Sequence, residues 1–244
     1  MSLKVIDTGK STAQKNMEID ANFLENLGDE ALLHIYEWEG DCATYGHFID
    51  LEKYINLEEA KKLQVNFAKR PTGGGIVFHS YDLAFSVLIP SSHPCFSTNT
   101  LENYALVNHA VIDAIADFRG ENTRASLLPE EPLALDQPSY NFCMAKPTKY
   151  DVILDGKKVG GAAQRRTKKG FLHQGSISLG QLPAEFLSRV LLPNTRVLEA
   201  MQENTFSLLG EDILKENLFQ ARKFLEKSLA KNLEKVLVHG LQTV

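Results

Sequence analysis

The stretch YDVIL-DG-KKVGGAAQ, residues 150–164, constrains the fold more than any other part of the chain. Asp155-Gly156 is the residue pair that a two-residue type I′ turn demands, because both central positions need positive φ. The flanking runs are therefore antiparallel neighbours, and FLHQGSISL follows as a further strand. Upstream, ALLHIYEW (31–38) reads as a strand running on into DCATYGHF, QVNFAKR as another, and IVFH and LAFSVLIP as two β-rich runs joined by SYD. Between them lie helical patterns: 15–27, with Met17, Ala21 and Leu24 on one face and Phe23 and Leu27 beside it; LEEAKKL (57–63); and 100–118, with Leu101, Tyr104, Asn108, Val111, Ile112 and Ile115 at helical spacing. RGENTRASLLPEEPLALDQPS is turn-rich and expected as a surface loop. The tail is mainly helical, clearest over 212–237, where Leu214, Leu218, Ala221, Leu225, Leu229, Leu233 and Val236 form a packing stripe. Strands in hairpins mixed with helices imply an α+β fold with a central mixed or antiparallel sheet flanked by helices.

The 244 residues suffice for one large domain with a sizeable core. A net charge of -5 argues against general affinity for nucleic-acid phosphate or anionic membrane, so no nucleic-acid or membrane partner is expected. Cys42, Cys95 and Cys143 are odd in number and widely spaced, which fits neither a disulfide framework nor a zinc site. No metal ligand set is expected, and a reduced, cytoplasmic setting is.

Two short stretches carry residues suited to chemistry. In RPTGGGIVFH (70–79), Gly73, Gly74 and Gly75 remove every Cβ from an arc whose N–H groups can line up toward an anion or carbonyl oxygen. Arg70 before the arc can add a charge-assisted hydrogen bond, and His79 follows on the strand that leaves it. Read alone, the arc is either a tight turn or a ligand cradle; it matches neither a Walker A loop nor a dinucleotide fingerprint. In FCMAKPTKYDVILDGKKVGGAA, Cys143 precedes Lys158 by fifteen residues. Alone, Cys143 is a small buried hydrophobe or a nucleophile. Lys158 is an exposed hairpin lysine or a ligand beside Gly160, Gly161, Ala162 and Ala163. Lys157, its neighbour, faces the other way in a strand.

Taken in order, these pieces resemble the biotin/lipoate protein ligase superfamily. RPTGGGIVFH is similar to its Arg-Arg-x-[ST]-Gly-Gly-x-x-V-x-H signature, NMEID (16–20) to the start of its first helix, YEWEGDCATYGHF to its Trp strand, DGKKVGGAAQ to its Gly-x-Lys core and GFLHQGSISL to its H-G-[ST]-[IL] strand. The resemblance implies a class II biotin/lipoate-ligase-like catalytic fold over residues 1–200, with 201–244 as a helical extension packed on it. It also implies an acyl tunnel bordered by Arg70, Gly73, Gly74, Gly75, His79, Gly160, Gly161 and Ala162, with Lys158 as the site lysine. Two positions depart from the pattern. Lys69 stands in place of a second Arg, keeping charge but not fork geometry, and Gln174 stands before Gly175 with His173 one place upstream, on the opposite face of its strand.

Within the superfamily, Cys143, Pro147, Thr148, Tyr150 and Asp151 match the cysteine-dependent octanoyltransferase branch. That likeness implies transfer from octanoyl-acyl carrier protein, through a Cys143 thioester, to a lysine of a 2-oxoacid dehydrogenase lipoyl domain or the glycine-cleavage H protein, with no cofactor. Lys158 is then expected over the thiol, favouring its anion. The alternatives are an ATP- and Mg-dependent lipoate–protein ligase acting through an acyl-adenylate, with lipoate as its substrate, and a homologue that binds an acyl chain or lipoyl domain without turnover.

Overall fold

The computed structural model describes residues 3–120, 123–210 and 213–239. In chain order its elements are β1 (Leu3–Ser11), α1 (Ala13–Glu25), β2 (Ala31–Trp38), β3 (Cys42–Tyr45), α2 (Leu57–Lys62), β4 (Asn66–Lys69), β5 (Ile76–His79), β6 (Asp82–Pro90), α3 (Thr100–Arg119), β7 (Ser126–Leu127), β8 (Val152–Leu154), β9 (Lys157–Arg166), β10 (Gly170–Ser178), α4 (Ala184–Val190), α5 (Val197–Asn204) and α6 (Lys215–His239). Seven strands form one sheet in the order β1-β2-β6-β10-β9-β8-β7, antiparallel except for the parallel β1–β2 edge. A smaller sheet, β4-β3-β5, stands beside it. This is the α+β architecture expected from the hairpins and helices.

The Asp155-Gly156 turn forms as its chemistry requires, with φ of 51° and 77° and Leu154 paired to Lys157. The pairing then slips: Ile153 faces Lys158 and Val152 faces Gly160, so Val159 is the extra residue of a β-bulge. The bulge shifts the side-chain alternation of β9 by one place, with consequences for the site.

The runs on either side of SYD do not pair with each other. Strand β5 joins the small sheet, and β6 crosses into the centre of the large one, where all nine of its residues are buried. The N-terminal strand β1 has no counterpart in the sequence reading, because its alternation is largely polar and it lies exposed at the edge.

Helix α1 starts two residues earlier than expected, capped by Thr12 accepting from the Lys15 N–H at 3.3 Å. Its buried face carries Asn16 and Asp20 with Met17 and Leu24, while Ala21 is only half-buried. A hydrophobic-periodicity reading overlooks buried polar positions, and here both find partners on the sheet. The buried face of α3 centres on Val107, Val111 and Ala114, leaving Leu101 39% exposed. Leu225, Leu229 and Leu233 of α6 are fully buried in the main core between α3 and the large sheet, whereas Leu214 precedes the helix and is 67% exposed. Asp212, where the C-terminal helical pattern was expected to begin, lies outside the described residues, as do Glu121 and Asn122 of the turn-rich loop. That loop contributes the short strand β7. A second core fills the space between the small sheet and α2, α4 and α5.

Candidate active site

A cavity of about 520 Å³ opens between the two sheets. Its walls come from α1 (Met17), β2 (Tyr36, Trp38), β6 (Ala84), the glycine loop (Gly73, Gly74, Gly75) and β9 (Lys158, Gly161, Ala162, Ala163). Arg70, His79 and Cys143 line it as well. Nine of the ten residues singled out from sequence thus meet around one space. The exception is Gly160. A Cβ there would meet Val111 at 3.5 Å and Val152 at 3.6 Å, on the α3 side of the sheet. Regular alternation puts Lys158 and Gly160 on one face; the bulge at Val159 puts Lys158 with Gly161 instead.

Gly161 leaves room for the lysine. A Cβ on it would lie 2.4 Å from Lys158 Cε and 2.7 Å from Asp151 Oδ1. Lys158 is 3% exposed, and its ammonium pairs with Asp151 at 2.7 Å and donates to the Cys143 carbonyl at 2.9 Å. Asp151 also accepts from the Thr148 N–H at 2.6 Å and the Thr148 hydroxyl at 3.1 Å. A buried lysine demands such a carboxylate; seven residues upstream across the hairpin, Asp151 was legible in sequence as context but not as this partner. Lys157 is exposed, its ammonium 3.3 Å from the Gln202 carbonyl.

The segment carrying Cys143 is tied down on both sides. Phe142, 1% exposed, bridges to Ile76, and the Cys143 N–H donates to the Ile76 carbonyl at 3.0 Å. Gly75 is required by this approach, since a Cβ there would fall 2.3 Å from the Asn141 carbonyl oxygen. On the other flank Thr205 donates to the Met144 carbonyl at 3.2 Å and Asn204 to that of Ala145 at 2.7 Å. The Cys143 sulfur lies 3.8 Å from the position a Cβ would take on Gly74, whose φ of +87° is left-handed. Gly46 supports the loop from outside: its Cβ would strike the Gly74 carbonyl oxygen at 2.1 Å. Neither Gly46 nor Thr44 stood out in the sequence.

Arg70 is buried beneath the loop. It donates to the carbonyls of Gly73 at 2.9 Å and Gly75 at 2.7 Å and to the Thr44 hydroxyl at 2.9 Å. His79 bridges Thr44 at 2.8 Å and Asp82 at 2.6 Å and stacks on Trp38 at 4.3 Å. Lys69 is exposed at the end of β4 and takes no part. Gln174 faces the cavity: it donates to Asp20 at 2.6 Å and accepts from Thr72 at 2.7 Å, linking α1 to the glycine loop. Asp20 also binds His34 at 2.7 Å and accepts from Ser86 at 2.6 Å. His173 is fully buried on the opposite face against Gln164 at 2.8 Å, and burial holds its imidazole down at about 3.

The model of the lipoyl protein ligase A/B catalytic domain family matches residues 12–204. The chain is 32% identical to octanoyltransferase LipM of Halalkalibacterium halodurans over 206 residues, 82% of this chain and 74% of that protein. The fold is shared with protein Ta0514 of T. acidophilum, solved with bound lipoic acid, at a TM-score of 0.68 and 22% identity over 96% of this chain and 86% of the other. It is shared too with a lipoate-protein ligase A bound with ATP, at 0.66 and 19% identity over 100% and 96%.

Proposed function

Because the chain belongs to the lipoyl protein ligase A/B catalytic domain family, we propose that it is an octanoyltransferase of protein lipoylation working through a Cys143 thioester. The single observation that carries this reading is the seating of the Cys143 sulfur against Gly74, in a cavity it shares with Lys158 and an apolar wall of Met17, Tyr36, Trp38 and Ala84. The acyl chain lies along that wall; at about 0.8 kcal/mol per buried CH₂, an octanoyl chain gains several kcal/mol there. The Cys143 thiolate attacks the thioester carbonyl of octanoyl-acyl carrier protein, and the carrier's thiol departs with a proton. The ε-amine of a lysine on a lipoyl domain or H protein then attacks the acyl-enzyme. The amide forms, the amine gives up a proton and the Cys143 thiol is regenerated. Both tetrahedral intermediates carry an oxyanion. Lys158 has three N–H donors, of which Asp151 and the Cys143 carbonyl take two, so one remains for that oxygen. Donor, acceptor and thioester all belong to this proposal, and no ATP enters it.

The test is intact mass after incubation with octanoyl-acyl carrier protein. The reading expects one octanoyl adduct without ATP, absent in Cys143→Ala, and passage of the label to a lipoyl domain. Full activity of Cys143→Ala that requires ATP and lipoate would establish the ligase reading instead.

A further inference from the structure

Four side chains run in single file from the head of β6 to the cavity: Asp82, His79, Thr44 and Arg70. They are 8%, 5%, 1% and 6% exposed. Their contacts are 2.6 Å, 2.8 Å and 2.9 Å. The proton positions follow from the two ends. A guanidinium is donor-only, so Thr44 Oγ accepts from Arg70. The Asp82 carboxylate accepts only, so His79 Nδ1–H donates to it, and Nε2 of the neutral imidazole takes the Thr44 hydrogen. Every member has one role compatible with its neighbours. Arg70 Nη2 and the Cys143 sulfur stand over the same side of Gly74, at 3.2 Å and 3.8 Å from the position its Cβ would take. Burial pulls the Arg70 guanidinium down from its ordinary value, opposed first by the charge of Cys143 and then by Tyr36. Lys158, by contrast, spends its charge on Asp151.

We propose that Asp82, His79 and Thr44 are positioning residues that lock Arg70 against the Cys143 sulfur, so that Arg70 rather than Lys158 is the thiolate's counter-ion. This rests on Cys143 being the nucleophile. The alignment matters because a guanidinium that also holds the Gly73 and Gly75 carbonyls keeps the loop and the sulfur in register. Around the relay stand Trp38, stacked on His79; Cys42, whose thiol reaches toward the His79 carbonyl; and Tyr36. Asp41 lies near Cys42, and Arg222 of α6 donates to the Asp82 and Ser80 carbonyls. Around Cys143 stand Tyr104 and the Lys158–Asp151 pair.

The sign of one substitution separates this relay from simple electrostatics. Asp82→Leu removes a negative charge, and through space alone that favours the thiolate and moves the alkylation profile of Cys143 to lower pH. If the relay operates, His79 Nδ1–H loses its acceptor, the imidazole is no longer held against Thr44, Arg70 loses that anchor and the profile moves to higher pH. The experiment is the rate of iodoacetamide modification of Cys143, read by peptide mass spectrometry from about pH 5 to about pH 10, with Cys95 as internal reference. The midpoint rises by about one unit in Asp82→Leu and in Thr44→Val. It returns in Thr44→Ser, which restores the hydroxyl, and stays near the wild-type value in the charge-neutral double replacement Lys158→Met, Asp151→Asn. A fall in Asp82→Leu, or a midpoint that moves with the double replacement and not with Thr44→Val, overturns the proposal. The wild-type acyl adduct is measured alongside. If no thioester forms on Cys143 the nucleophile reading has failed; if it forms and the profiles coincide, only the relay has.

Discussion

Lys158→Met separates what the lysine does for folding from what it does for transfer. Both partners of the Lys158–Asp151 pair are almost fully dry, with side chains 4% and 3% exposed, so solvent screening does not discount the interaction. Methionine keeps the length of the aliphatic stem, so little cavity opens. What is lost is the ammonium, leaving Asp151 with only the Thr148 N–H and hydroxyl. Breaking a buried pair from one side costs about 3–5 kcal/mol. The two Thr148 bonds hold the estimate near the lower end, and the vacated Cys143 carbonyl adds to it, giving about 3–4 kcal/mol. Against a total stability of about 5–15 kcal/mol this is a large loss, readable by urea unfolding with linear extrapolation. Adding Asp151→Asn removes the stranded carboxylate, and the double variant recovers about 2–3 kcal/mol, to within about 1 kcal/mol of wild type. Transfer does not recover, because the third N–H is gone. A double variant as unstable as Lys158→Met shows that the cost is packing rather than stranded charge; a stable double variant with wild-type transfer rates removes Lys158 from the chemistry.

Gly161→Ala drives a methyl group to within 2.4 Å of Lys158 Cε; the displaced ammonium lowers kcat/KM about ten- to hundredfold, whereas Lys157→Ala stays near wild type in the same transfer assay. Gln174→Ala leaves the Thr72 hydroxyl without its acceptor and takes one donor from Asp20, and lowers stability by about 1–3 kcal/mol in urea unfolding. His173 is held near 3 in the fold against about 6.5 unfolded, so the unfolded chain binds the extra proton between those values. Stability is therefore full above about pH 6.5 and falls as pH drops toward 3, by up to about 1.4 kcal/mol per unit from this group; His173→Phe flattens that limb of the pH–stability curve.

Much of the site was legible because local chemistry dictates it. Asp155-Gly156 reverses the chain in one way only, and three glycines followed by a strand mark a close backbone approach whatever the fold. Residues whose partners lie far along the chain were not legible. Asn16 and Asp20 look like solvent positions on α1 until Glu37, His34, Ser86 and Gln174 arrive to satisfy them. Thr44 and Gly46 are ordinary until β5 and the glycine loop pack on them. The polar edge strand β1 gives no periodic signal, since only its pairing to β2 defines it.

The bulge at Val159 explains why Gly160 and Gly161, grouped together by the resemblance, face opposite ways. Period-two counting from Lys158 selects Gly160 and Ala162. One inserted residue moves the next inward position to Gly161, three places on, where the missing Cβ accommodates the Lys158–Asp151 pair. The same insertion turns Gly160 toward Val111 on α3, on the core face of the sheet. Two adjacent glycines that read as a single small-residue run thus serve opposite faces, one beside Lys158 in the cavity and one in the core. Gly161→Ala and Gly160→Ala consequently differ in kind. The first, as argued above, lowers kcat/KM; the second presses on Val111 and Val152 at 3.5–3.6 Å, an ordinary contact distance. It leaves kcat/KM close to wild type and changes stability by less than about 1 kcal/mol. Equal losses of transfer in the two variants would place both glycines on the cavity and remove the bulge from the account.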